Sequence, residues 1–115
     1  MNAQEIIEYI NASGVSVCDP VQFEVEPVIN TQRGRLARKS HNGAVAMLNN
    51  VRYVAGLDPV CPNDGYESLA QAAAFVNMSI NELTHYPADV TSRPSAMSIN
   101  DWNDGCTGAS KSNLY

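Results

Sequence analysis

The sequence predicts a small α+β protein: a helix–β-hairpin–helix unit, two further short helices and an irregular C-terminal tail. Three observations carry this. A capped apolar stripe opens the chain, strict alternation of apolar and polar residues follows, and two capping pairs recur between Asp64 and Glu82.

Asn2 and Glu5 form the first capping pair, because the Asn oxygen takes an orphan amide of the first turn. Ala3, Ile6, Ile7 and Ile10 then make one stripe at helical spacing, and Gly14 is the left-handed stop. Val15 and Val17 alternate with Ser16 and Cys18, and Phe23 and Val25 alternate with Glu24 and Glu26. Asp19-Pro20-Val21-Gln22 between them suits a tight turn, which predicts a hairpin with one apolar and one acidic face that Pro27 ends.

Thr31 is the expected cap of a second helix reaching Val51, with Leu36, Ala37, Ala44, Met47, Leu48 and Val51 on its apolar side. Gly34 and Gly43 each weaken it by about 1 kcal/mol. Gly56, Pro59 and Pro62 mark a connector over residues 55–63. Asp64 and Glu67 cap a helix striped by Leu69, Ala70, Ala73 and Val76, and Ser79 with Glu82 starts a short helix that Pro87 stops. Beyond Val90 the chain is polar and rich in Gly, Ser and Asn, so an extended tail anchored by Met97, Ile99 and Trp102 is expected. The expected division is a docking-like unit over 1–54 and a helical extension with its tail over 55–115, the two sharing one core.

The 115 residues are 44% hydrophobic, and a chain of this size buries roughly two-thirds of its unfolded surface without a disulfide or metal. The net charge of −5 opposes a general nucleic-acid coat, which needs surplus Lys and Arg. Ala72–Val76 is the longest apolar run, far below the roughly 20 residues of a membrane span. With an acidic, amphipathic start and an odd three cysteines, the expected setting is a reducing cytoplasm, and the Asn-x-Ser triplets at Asn11 and Asn77 read as chance. Charge falls in blocks. Residues 1–30 hold five acids and no base, 31–54 five bases and no acid, and 55–115 seven acids against Arg93 and Lys111.

Chemistry is mostly declined. His41, His85, Cys18, Cys61 and Cys106 never stand at metal-ligand spacing, so neither a metal nor another cofactor is expected. Asp101-Trp102-Asn103-Asp104-Gly105 superficially suggests a calcium loop, but Cys106 stands where that loop needs its Gly. No glycine loop for phosphate and no nucleophile motif occurs, so the chain is expected not to be an enzyme. A helix-turn-helix over 69–86 is the competing reading, with Ser79, Asn81 and His85 as its DNA-facing residues. Glu82 and the acidic block around it argue against DNA.

MNAQEIIEYINASGVSV, SVCDPVQFEVE and TQRGRLARKSHNGAVAML follow the order helix, glycine, two short strands, helix with a central histidine. In this order residues 1–50 resemble the TubC-type N-terminal docking domain of some synthetase subunits, and similar small modules occur in phage and plasmid accessory proteins. Thr31 and His41 fall where that family places a helix-capping Thr and a mid-helix His. Asp19-Pro20 replaces its Gly-containing turn, and Gly43 interrupts its second helix. The resemblance implies a non-enzymatic protein-binding module that forms a homodimer and adds a short partner peptide to its hairpin. The expected contacts are Val17, Gln22, Phe23, Glu24 and Val25 on the hairpin, and Arg33, Arg35, Arg38 and Lys39 as a charged surface. Val17, Phe23 and Val25 equally suit a core.

Overall fold

A computed structural model describes residues 2–14 and 20–111. The order is α1 (Ala3–Ser13), β1 (Phe23–Val25), β2 (Arg35–Leu36), α2 (Arg38–Val54), α3 (Asp64–Ile80), α4 (Pro87–Val90) and α5 (Ile99–Lys111). This is the small α+β arrangement that the sequence predicts, with a two-stranded antiparallel hairpin. No helix among the described residues is long and apolar enough to cross a membrane.

The opening helix follows its signals. Asn2 Oδ1 accepts from the Glu5 amide at 2.9 Å, and Gly14 ends the helix at φ 66. The hairpin differs from expectation. β1 pairs with β2, while the strand expected around Val15 and Val17 lies outside the described residues. Thr31 caps no helix. It sits in a reversal in which Val28 and Gln32 exchange backbone hydrogen bonds of 2.9 and 3.0 Å around Asn30 at φ 65. Gly34 follows at φ 75, and a side chain there would lie 2.8 Å from the Pro27 backbone nitrogen, so the glycine is a requirement of the turn.

The cap position before α2 is therefore Ala37, which offers no capping side chain. The Gln22 backbone replaces the cap: its amide donates to Ser40 Oγ at 2.8 Å, and its carbonyl accepts from the Ala37 amide at 2.9 Å. Asn63 caps α3, one residue before the expected Asp64, and accepts from the Tyr66 amide at 3.1 Å. The short helix expected from Ser79 does not form. Instead α3 runs through Ile80 and stops at Asn81 in the left-handed region.

The irregular tail is also corrected, because residues 99–111 form α5. Its glycines lower helix propensity, yet they face α3 at close range. A side chain at Gly105 would strike Val76, and one at Gly108 would strike the Leu69 carbonyl. Packing outweighs propensity there.

The chain forms two compact units. The first is Met1–Glu24 with Leu36–Pro62, and the second is Val25–Arg35 with Asn63–Tyr115. The connector after α2 thus belongs to the first unit, and the reversal before β2 to the second. Ala72, Ala73, Phe75, Val76, Met97 and Ala109 are buried, all in the second unit, with Trp102 packed against them. Among the described residues of the first unit, Asn50 is the only buried side chain.

Candidate functional site

The first unit is built on an antiparallel pair, α1 against α2. The rings of Tyr9 and Tyr53 stack with centroids 4.0 Å apart and planes 1° from parallel. One turn further along α1, Ser13 Oγ accepts from Asn50 Nδ2 at 3.2 Å and donates to the Ile10 carbonyl. Tyr9, Ala12, Ser13, Ala46, Asn49 and Asn50 line a cavity of about 280 Å³ on this side. Asn49 also grips Val60 of the connector through both polar atoms, at 2.8 and 3.0 Å, and Arg52 Nε donates to the Asp58 carbonyl at 2.7 Å. The inner side of the pair is therefore aromatic and polar.

The aliphatic stripes point elsewhere. Each residue turns a helix by about 100°, so Ile7 and Ile10 lie well round α1 from the Tyr9–Ser13 line. Val54 and Val51 lie round α2 from the Asn50–Tyr53 line in the same way, and Leu48 stands nearly opposite that line. Because the helices run antiparallel, equal rotations bring both stripes to the same side of the pair. Exposure agrees: Ile7 51%, Leu48 50%, Val51 64% and Val54 52%, while Ile6 and Met47 between the stripes are half-buried. Arg52, one turn on from Leu48, stands at the edge of this side and donates to the Asp58 carbonyl. Soluble surfaces seldom group aliphatic side chains this way without a binding role.

The expected contact residues disperse. Val17 lies outside the described residues. Gln22 serves the start of α2 through its backbone, and on β1 Phe23 and Val25 are half-buried with Glu24 exposed between them. The four bases were expected on one helix face, and the structure corrects this. Arg33 precedes β2, Arg35 is on β2, and Arg38 and Lys39 are in the first turn of α2. The Arg33 guanidinium is committed within its own unit. Nε donates to Asp101 at 3.0 Å and the terminal nitrogen to Asp104 at 2.8 Å, with four-fifths of the side chain buried.

No family model, no curated protein and no solved structure matches this chain.

The residues of the DNA reading have structural duties. Ser79 Oγ accepts from the Asn30 amide at 2.9 Å, Asn81 is the stop of α3, and His85 Nδ1–H donates to the Ala109 carbonyl at 2.7 Å. Asn77 is buried and holds the loop that replaces the expected recognition helix: Oδ1 accepts from the Thr84 amide, and Nδ2 donates to the Ala73 carbonyl. Burial pushes the Cys106 thiol above its ordinary range, with an opposing backbone hydrogen bond at Ala88, which disfavours the thiolate a nucleophile needs. No metal-ligand cluster occurs among the described residues.

The residues missed by sequence reasoning are Ile7, Ile10, Leu48, Val51 and Val54 as surface. Periodicity found the stripes of both helices as far as Val51 but named none of them as a contact surface. The signal that could have separated them is the second, aromatic and polar line on each helix: Tyr9 with Ser13, and Asn50 with Tyr53.

Proposed function

We propose that this chain is a non-enzymatic protein-binding module that docks on a larger complex through the aliphatic side of α1 and α2. One observation carries the reading: two helices meet through tyrosines and polar groups while their aliphatic residues stay exposed. The segregation of acidic and basic blocks along the chain supports oriented encounter with a partner. The resemblance of residues 1–50 to docking domains supports reading the module as a phage or plasmid accessory protein that modulates a larger machine. A strand-added peptide at the β1–β2 ribbon is a second contact of the same module.

Affinity capture tests this. The immobilised full chain is compared with Ile7→Asp and Val51→Asp, each shown to fold by circular dichroism. Stoichiometric partners held by the wild type and lost by both variants are the expected outcome. An identical retained set in all three discards this surface.

A further inference from the structure

We propose that the cavity between α1 and α2 binds a small, neutral ligand of the amide class, which presents an N–H donor to the side-chain carbonyl of Asn50. The site is separate from the aliphatic side. Ala12, which lines the cavity, stands about 200° round α1 from Ile10, so the two surfaces are reached from opposite sides of the helix pair.

Asn50 supplies the first observation. It is 6% exposed and lines the cavity, yet its Oδ1 has no hydrogen-bond partner among the described residues. Its Nδ2 is committed to Ser13 Oγ at 3.2 Å. A buried carbonyl without a donor forfeits the bond that water gave it in the unfolded chain, and native folds seldom leave one so. The χ2 torsion of an asparagine is soft, so the carbonyl can lean towards a donor in the cavity while Nδ2 stays near Ser13.

The second observation is the wall. Tyr9, Ala12, Ser13, Ala46, Asn49 and Asn50 line a volume of about 280 Å³. Smaller cavities, of about 150 Å³, accept a benzene ring, so a six-membered ring bearing an amide fits here. The two alanines leave the room. Tyr9 is fixed by its stack on Tyr53, and Asn49 by its two hydrogen bonds to Val60. A wall held in place beforehand spares a ligand the cost of ordering its site.

Charge sets the class of ligand. None of the six lining residues carries a formal charge. An ammonium would lose hydration with no lining carboxylate to face, and a carboxylate would meet the Asn50 oxygen as a repelling acceptor. The Ser13 hydroxyl already donates to the Ile10 carbonyl. A neutral N–H donor makes the bond that the fold leaves unmade.

An amide-resolved NMR titration of the full chain tests this with three probes of nearly one shape. Benzamide carries the donor, acetophenone has a methyl group in its place, and benzoate has a charged oxygen there. Benzamide is expected to move the signals of Tyr9, Ser13, Ala46, Asn49 and Asn50 with a dissociation constant of about 1 mM. Acetophenone should bind at least about ten-fold more weakly, and benzoate should leave these signals unmoved. Ala12→Leu, at an exposed position, should weaken benzamide at least about ten-fold while circular dichroism stays native. Benzamide that leaves these signals unmoved, or binds Ala12→Leu as well as the wild type, overturns the site. Acetophenone or benzoate bound as tightly as benzamide overturns the role of the Asn50 carbonyl.

Discussion

Gly108 sets how near α5 can come to α3, since a Cβ there would collide with the Leu69 carbonyl and crowd Ala73. Backbone on backbone leaves no flexible side chain to yield. Gly108→Ala is expected to destabilise the chain by about 2–3 kcal/mol in urea unfolding, although alanine favours a helix. A neutral or stabilising effect would show that the two helices pack differently. Arg33 is a second decisive residue, because one guanidinium joins Asp101 and Asp104, three residues apart on α5. Losing it leaves two neighbouring carboxylates on one helix face. Arg33→Ala should cost about 1–2 kcal/mol, discounted for the exposure of Asp104. Arg33→Lys should restore only part, because a point charge cannot form the same fork. Equal stability of Arg33→Ala and wild type would contradict this role.

At the level of elements, legibility followed local chemistry. The cap at Asn2, the stop at Gly14 and the Pro-rich connector were readable because each acts on its own neighbours. α5 was not readable. Gly105, Gly108 and the surrounding Asn, Asp and Ser signal loop locally, and only their approach to α3 gives the glycines a helical purpose. Thr31 misled for a related reason: it has the right side chain for a cap, but Asn30 and Gly34 take left-handed backbone and turn the chain instead. The single helix face expected for the four bases fell with it, since Arg33 and Arg35 lie outside α2. Asn63 is the cap that the Asp64 reading displaced by one residue. Asn63→Ala is expected to lower stability by about 1 kcal/mol, visible as a lower Tm, and an unchanged Tm would move the cap elsewhere.

Across the whole molecule, the two units differ in how they are stabilised. The second has an ordinary core of Phe75, Val76 and Met97. The first is held by a ring stack, by Asn49 and Asn50, and by backbone bonds at Gln22, with its aliphatic residues outward. Sequence periodicity located those aliphatic stripes along α1 and α2, but could not say which side of each helix meets the other. Pattern marks an apolar face, and only the fold decides whether it becomes interior or contact surface.

Hydrogen–deuterium exchange of the full chain, alone and with a partner held in the affinity capture, tests most directly whether this face is where a partner docks. The amides of α1 and α2 should slow when the partner is bound, while those of α3 and α5 keep their rates. A bound partner that leaves α1 and α2 unchanged and protects a different element would contradict the account.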